Sequence, residues 1–352
     1  MHMKNIFLYG RKYRFPRGDL IKQMFRLICI LAFHPSPFDA RSVTTTANTR
    51  KKRKKISYKT RADRTQSLLR TAKDLLTDCG HPRYLTQITR AHVLKLLCVW
   101  KKRKLGVSTV KNNLCYLRVV LWLVGVNVKN VVPSNRAALH YMGLPVCRTY
   151  VSGPKTWESH NIDPISLIHD RVMKVDPRVS AVLLLCYAYG LRLKEAMLWH
   201  SKTSVGANGF IHIHHGAKSG RHRDIDMQIH MLEKMAIKYA SRFENGVTGS
   251  LVPGMGKLGD KDLKKFRRRI YTVARRCGIT KKELAITIHG LRHSAACRWY
   301  FEITGTLAPI LGGGPVDYLL DRKARTIISR RLGHVRLNIT DVYLGKPNTY
   351  NH

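Results

Sequence analysis

The chain has 352 residues, and its 64 Lys and Arg against 21 Asp and Glu give a formal net charge of +43. An excess of this size is not a balanced solvated surface and implies a polyanionic partner, most simply nucleic acid. A ribosomal or histone-like protein is equally basic, but such chains are usually short and poor in aromatic residues, whereas this one has 5 Trp and 15 Tyr. An anionic membrane would also attract the chain, but no apolar run reaches the roughly 18 residues of a transmembrane helix.

Residues 1–60 are predicted to form a basic, disordered extension. The stretch 19–33 is modestly apolar, but Lys22 and Arg26 interrupt it, which argues against a signal peptide. The extension ends in a basic run made of Lys51, Lys52, Arg53, Lys54 and Lys55. Such a run is typical of a tail that faces DNA. A start codon assigned too far upstream would produce the same pattern.

Residues 61–146 are predicted to form a helical domain, because apolar residues recur at helical spacing in most of the segment. Thr89, Ser108 and Ser134 stand where they can cap helices. The third helix carries Lys111 and Arg118 on its other face, so we expect both to contact DNA. Four short helices with basic outer faces also fit any small helical bundle.

Residues 147–163 are predicted to be an interdomain linker, and residues 164–352 a second domain. Asp176 and Pro177 begin a strongly apolar helix, since proline is preorganised for a first helical turn. Gly190 suits the left-handed position that ends a helix. Arg192 then lies at a helix junction.

Two strands with alternating polar and apolar residues, 210–215 and 222–228, are predicted to form a hairpin. Its turn contains Lys218. Three histidines, His212, His214 and His215, raise the alternative of a zinc site, but no cysteine or carboxylate completes it at useful spacing. Histidines on a strand surface near DNA are the favoured interpretation.

Helices are predicted over residues 262–277 and 287–300, and residues 305–322 are predicted to be an inserted loop. Three consecutive glycines, Gly312 to Gly314, stand in its middle. No Gly-Lys-Ser or Gly-Lys-Thr follows them, which argues against a phosphate-binding loop.

The last part of the chain brings together the residue types that phosphoryl transfer needs. Arg292 follows His289 by three residues, Leu332-Gly333-His334 comes later, and Tyr343 stands nine residues after His334. Upstream lie Arg192 and the hairpin lysine, Lys218. Two arginines, two histidines, a lysine and a tyrosine can hold a phosphodiester and attack it with a phenol. In the order Arg, Lys, His-x-x-Arg, Leu-Gly-His and Tyr, the chain resembles the tyrosine recombinase (phage integrase) family.

The resemblance implies a role for each of these residues. Arg192 and Arg292 would bind the phosphate, since the planar guanidinium holds two oxygens and stays charged. Lys218 would be the general acid that protonates the 5′-oxygen leaving group, with Arg221 and Arg223 close enough to compete for that position. Glu195 is interpreted as a support for Arg192. The alternative is that it is a plain surface glutamate.

Tyr343 would be the nucleophile, and both histidines would assist it. His289 would help proton transfer, and His334 would donate to a non-bridging oxygen. The rival tyrosine, Tyr350, stands at the wrong interval from His334, and His293 points off the face that His289 and Arg292 share. The catalytic residues predicted from the family are thus Arg192, Lys218, His289, Arg292, His334 and Tyr343.

The expected fold is mainly α with a small β-sheet (α+β): a helical core-binding domain followed by a mixed α/β catalytic domain. The resemblance implies a site-specific recombinase that integrates or excises a mobile element, without metal or other cofactor. Its expected partners are two double-stranded DNA recombination sites held by a homotetramer, with an excisionase or a host DNA-bending protein as further candidates. Alternatives are a Xer-like dimer resolvase, a type IB topoisomerase, or a DNA-binding protein that has kept the fold without turnover.

The eight cysteines include no Cys-x-x-Cys pair, and several stand in apolar helical stretches. Free cysteine behaves there as a small apolar residue. A reducing cytoplasm therefore fits better than a disulfide framework. With the predicted DNA partner, we expect a cytoplasmic, nucleoid-associated protein that does not bind a membrane.

Overall fold

A computed structural model describes residues 62–146, 153–206, 210–217, 222–225, 230–254, 259–334 and 336–350, and the backbone alone of residues 6–8, 11–13, 58–61 and 226. The basic run 51–55, Lys218 and Arg221 lie outside the described residues. The chain divides into two compact units, with the boundary between Arg148 and Thr149. Each unit has its own apolar core.

Among its described residues, unit 1 is helical apart from one short hairpin. Its strands β1 (Ile6–Leu8) and β2 (Arg11–Tyr13) pair antiparallel. Its helices are α1 (Tyr58–Asp78), α2 (Arg90–Lys102), α3 (Val107–Leu123), α4 (Val128–Val131) and α5 (Asn135–Tyr141). Fully buried side chains such as Leu97, Trp100, Leu114 and Leu117 form the core between them.

The predicted caps of unit 1 are partly confirmed. Ser134 accepts a hydrogen bond from the backbone N–H of Ala137 and so caps α5. Thr89 stands at the N-cap of α2. The prediction for Ser108 was wrong, since α3 begins at Val107 and Gly106 is its N-cap.

Unit 2 holds the candidate site, and its helices surround a larger core that includes Trp157, Trp199 and Trp299. Its helices are α6 (Pro164–Leu167), α7 (Met173–Val175), α8 (Pro177–Ala188), α9 (Leu193–Met197), α10 (Ser201–Ser204), α11 (Met231–Ser241), α12 (Asp260–Arg276), α13 (Gly290–Thr304), α14 (Tyr318–Arg331) and α15 (Asp341–Leu344). A π-helical turn, Ile168–Val172, joins α6 to α7.

The strands of unit 2 form two small sheets among its described residues. The strands β3 (Phe210–Ile213) and β4 (Arg223–Asp226) pair antiparallel, which confirms the predicted hairpin. The strands β5 (Val316–Asp317) and β6 (Thr349–Tyr350) pair in parallel. The chain is thus mainly helical with small sheets, as predicted.

Two segments differ from their predicted structure. The predicted inserted loop, residues 305–322, instead contains a 3₁₀ turn, the strand β5 and the first turns of α14. Residues 153–163, predicted as linker, pack into unit 2. There Trp157 is fully buried, and its indole N–H donates to the carbonyl of Thr287 at 2.8 Å. A large aromatic side chain with a satisfied polar atom is well suited to a core.

Candidate active site

The candidate site lies where the end of α8, the start of α13, the end of α14 and the short helix α15 meet. Asp176 caps α8 by accepting from the N–H of Val179 at 3.2 Å, and Pro177 occupies its first turn. The helix ends at Ala188, and Gly190 just beyond it has a φ of +55°, in the left-handed region. A Cβ at this position would approach the ring of Trp299 to 2.8 Å. Both the left-handed backbone and this close approach therefore require glycine.

Arg292 is deeply buried within the site, with 1% of its surface exposed. Its guanidinium donates to the carbonyls of Gly190 and Leu332. Its Nε lies 3.4 Å from the phenolic oxygen of Tyr343, and Nη2 lies 3.4 Å from Nε2 of His334. Burial lowers the pKa of Arg292 to about 10, so the side chain remains charged at neutral pH.

Three histidine rings surround the ring of Tyr343. The ring centroid of His293 lies 4.4 Å from that of Tyr343. His334 follows at 5.3 Å and His289 at 6.2 Å. The phenol is therefore enclosed by imidazoles on several sides, and Tyr343 is only 6% exposed.

Burial sets the charge state of these histidines. It is the main cause that lowers the pKa of His289 to about 4 and the pKa of both His293 and His334 to about 3. The nearby positive charge of Arg292 contributes in all three cases. At neutral pH each imidazole is therefore uncharged, and each has one nitrogen that accepts and one that donates. A neutral imidazole beside a phenol can accept its proton.

Arg192 lies at the N-cap of α9 and is positioned by Glu195. The carboxylate of Glu195 accepts from the backbone N–H and from the guanidinium of Arg192, both at 2.8 Å. Arg192 keeps 27% of its side chain exposed, whereas Glu195 is fully buried. The guanidinium is thus held in place but still reachable by an anion.

Arg223 completes this group from the strand β4. Its two terminal nitrogens donate to the two carboxylate oxygens of Glu195 at 2.9 and 2.8 Å, and its Nε donates to the carbonyl of Arg331. Burial alone would raise the pKa of Glu195, but the hydrogen bonds and charges of Arg223 and Arg192 hold that pKa at about 2. Glu195 is therefore ionised and compensates two arginines.

The structure brings five of the predicted catalytic residues together in unit 2: Arg192, His289, Arg292, His334 and Tyr343. The sixth, Lys218, lies outside the described residues. The interpretation of Glu195 as a support for Arg192 agrees with the contacts. The prediction that His293 points away from the site was wrong. His293 is four residues after His289, and that spacing puts both on one side of a helix.

Three residues predicted to contact DNA have hydrogen-bond partners within the protein. Arg223 has only 7% of its side chain exposed and is bound to Glu195, so it does not lie on the surface. Arg118 is half-buried in unit 1, where it donates to Asn135 at 2.8 Å and to the carbonyl of Pro133. Both arginines use their donors inside the protein. Lys111 is half-buried as well, and its ammonium donates to the carbonyl of Val146 at 3.0 Å.

The histidines of the hairpin form a row on one face of β3 and β4. His212 Nδ1 lies 2.6 Å from Oδ1 of Asp224, a carboxylate that the sequence pattern did not connect to this group. His214 and His222 face each other with their Nδ1 atoms 3.3 Å apart. Within the part of the chain that the structure describes, no three His, Cys, Asp or Glu residues are placed to hold a metal ion.

Tyr350 lies in β6 and is 44% exposed, whereas Tyr318 begins α14 and is 43% exposed. Among the described helices, none is long and apolar enough to cross a membrane.

Residues 46–129 match the family model described as the N-terminal domain of phage integrases. No curated protein sequence matches the chain. Among solved structures, the DNA-bound lambda integrase (residues 75–356) is 12% identical, with a TM-score of 0.53 over 92% of this chain and 96% of that one. The Tn1549 transposon integrase in complex with transposon right end DNA is also 12% identical, with a TM-score of 0.53 over 91% of this chain and 95% of that one.

At this level of identity the two structures show a shared fold, and the family match adds a shared sequence pattern in unit 1. The chain shares the fold of these two integrases, and its residues 46–129 match the N-terminal domain of phage integrases, which agrees with the predicted resemblance.

Proposed function

We propose that this protein is a site-specific DNA recombinase that cleaves and rejoins DNA through a covalent bond between Tyr343 and a 3′-phosphate. The observation that carries the proposal is the placement of a phenol against a buried, charged arginine and three neutral imidazoles. This arrangement offers a nucleophile, a base and a cation within one site.

The geometry supports a role for each group. The N–H of Arg292 points at the phenolic oxygen of Tyr343 and would stabilise its negative charge as the proton leaves. Arg192, held by Glu195 with part of its guanidinium exposed, would bind a non-bridging oxygen of the phosphodiester. A bound phosphodiester also adds negative charge, which raises the pKa of the neighbouring imidazoles and favours proton transfer to them.

The chemistry balances without an external energy source. The phenolic oxygen of Tyr343 forms a bond to phosphorus, the bond from phosphorus to the 5′-oxygen breaks, and that oxygen takes up a proton. We propose Lys218 as the donor of that proton. The reverse reaction, with a different 5′-hydroxyl as the attacking group, joins the strands in a new order.

The biological role that we propose is integration or excision of a mobile element. A homotetramer on two DNA sites would cut and exchange one strand of each duplex at a time. The net charge of +43 supports binding of long DNA segments. The protein would then be found with DNA in the cell, in a bacterium with the nucleoid.

The test is to trap the covalent intermediate. Nicked duplexes that tile the DNA flanking the gene release the 5′-hydroxyl fragment after cleavage, so an adduct accumulates and can be seen on a denaturing gel. The wild-type protein should form an adduct, and peptide mapping should locate it at Tyr343. Tyr343→Phe should bind the same DNA, since its charge is unchanged, and form none.

Tyr350→Phe is the matched control and should form the adduct at the wild-type rate. Two results would overturn the assignment: an adduct formed by Tyr343→Phe, or a modified peptide in which the phosphate is carried by Tyr350. A protein that binds the duplexes but never forms an adduct would instead be a DNA-binding protein without turnover.

A further inference from the structure

One buried arginine in unit 2 has no part in the chemistry described so far. Arg325 lies in α14 and is 2% exposed. Its Nε donates to both oxygens of Asp321, at 3.0 and 2.8 Å, and its Nη1 donates to Oδ1 of Asp341 and to the carbonyl of Gly345, both at 3.0 Å. A single guanidinium therefore connects α14 with the segment that contains Tyr343.

The two acceptors on that segment flank the nucleophile. Asp341 precedes Tyr343 by two residues and Gly345 follows it by two. The helix α15 between them has only four residues, Asp341–Leu344. A helix of one turn has too few backbone hydrogen bonds to be stable by itself, so contacts from outside must fix its position. Arg325 supplies such a contact at each end.

The other side of Arg325 is held rigidly. Asp321 lies one turn earlier in α14, is 3% exposed, and also accepts from the hydroxyl of Tyr300 at 2.7 Å. Tyr300 belongs to α13, the helix that begins beside His289 and contains Arg292 and His293. Through Asp321 and Tyr300 the guanidinium is thus connected to α13, the helix that carries Arg292 and His293.

These contacts are specific to a planar fork. One ammonium group cannot reach Asp321 on one side and both Asp341 and Gly345 on the other, whereas a guanidinium presents donors in several fixed directions. Apolar packing also holds α15, since Leu344 is fully buried. Apolar packing does not fix the orientation of α15 as hydrogen bonds do, because hydrogen bonds depend on direction.

We infer that Arg325 is a positioning residue that holds α15 from both ends and so aims the phenol of Tyr343 at the scissile phosphate. This inference rests on the proposed function of Tyr343. Misplacement of a reacting group by about 1 Å can cost about 100-fold in rate. Arg325 is buried, and its hydrogen bonds go to Asp321, Asp341 and Gly345, so its loss should affect the rate and not the binding of DNA.

The test compares Arg325→Lys with Arg322→Lys, the same chemical change at an exposed position of the same helix. Single-turnover cleavage of the nicked duplex is measured at saturating DNA, and the dissociation constant is measured separately. Arg325→Lys should cleave about 10- to 100-fold more slowly with its dissociation constant within twofold of wild type. Arg322→Lys should cleave at the wild-type rate.

A second measurement reads the position of the phenol without DNA. Tetranitromethane nitrates exposed tyrosines, and mass spectrometry locates the product. Tyr343 should be nitrated faster in Arg325→Lys than in wild type or Arg322→Lys, because a released α15 exposes it. Circular dichroism at the assay temperature shows whether each variant is folded.

Asp341→Asn provides an independent variant in case Arg325→Lys does not fold, since Asp341 has 28% of its side chain exposed and its change is mild. It should show slower cleavage and faster nitration of Tyr343, both to a smaller extent, and adding it to Arg325→Lys should cause little further loss.

The inference is overturned if both variants cleave within twofold of wild type, or if their slower cleavage comes with unchanged nitration. If even the wild-type protein forms no adduct, the proposed function fails, and nitration alone decides whether Arg325 holds Tyr343.

Discussion

The Nε of Arg292 lies 3.4 Å from the phenolic oxygen of Tyr343, although 51 residues separate them in the chain. The other donors of Arg292 bind the carbonyls of Gly190 and Leu332, at the ends of α8 and α14. Arg292 therefore fixes two helix ends and at the same time presents one N–H to the proposed nucleophile. Arg292 therefore both stabilises the packing of the site and takes part in its proposed chemistry.

We predict that Lys218 and Arg292 respond differently to a DNA substrate whose 5′-bridging oxygen is replaced by sulfur. Sulfur leaves without a proton, so this substrate should restore cleavage by Lys218→Ala. Arg292→Ala should not recover, because it lacks the charge that stabilises the reacting oxygens. Cleavage rates on the two substrates give the comparison. An equal response of both variants would remove Lys218 from the role of general acid, and Arg221 would become the next candidate.

Glu195→Gln should destabilise unit 2 by about 3 kcal/mol, because it leaves Arg192 and Arg223 without a countercharge in a buried place. The free energy of unfolding at pH 7 can be measured in urea. The matched control is Glu302→Gln, since Glu302 is 39% exposed in its side chain and lies 3.4 Å from Arg298. Loss of that exposed pair should cost less than about 1 kcal/mol. Similar values for the two variants would show that Glu195 does not compensate the arginines.

His293 should make the protein less stable as the pH falls below 6.5. Burial lowers its folded pKa from 6.5 to about 3, so below pH 6.5 the unfolded chain takes up a proton that the folded chain does not. The contribution of this residue to stability is therefore present above pH 6.5 and is lost progressively towards the folded pKa. Since one pKa unit corresponds to about 1.4 kcal/mol, His293 alone should account for about 2 kcal/mol between pH 6.5 and pH 5.

Urea unfolding at several pH values tests this expectation. His293→Gln should show a correspondingly smaller loss of unfolding free energy over the same interval. His230→Gln, at an exposed position of the same unit, should keep the wild-type slope. A wild-type slope in His293→Gln would mean that His293 is not held neutral by burial.

Cleavage should persist in excess EDTA. In the proposed mechanism, protein side chains supply each role that a metal ion takes in other phosphoryl-transfer enzymes: a cation for the phosphate, a base and an acid. Adduct formation with and without EDTA is the measurement. If EDTA abolishes adduct formation and magnesium or zinc restores it, this mechanism is contradicted. The row of His212, His214 and His222 would then be the first place to look for the metal.

The sequence alone determined the types of residue in the site and several local structures. Residue types and the spacing of polar and apolar residues predicted the helix start at Asp176 and Pro177, the hairpin of β3 and β4, and the left-handed glycine after the helix at Gly190, and the structure confirms them. These features depend on residues a few positions apart, and their geometry is fixed by the backbone of one helix or one hairpin.

Only the tertiary structure decided which side chains meet. Glu195 and Arg223 are 28 residues apart, and Arg325 and Asp341 are 16 apart. Local spacing carries no information about such pairs, because they depend on how whole helices pack. The same reason explains the placement of His293 against Tyr343 and the burial of Arg223. Sequence can name the chemical groups of this site, but the packing of α8, α13, α14 and α15 decides their distances and therefore their charge states.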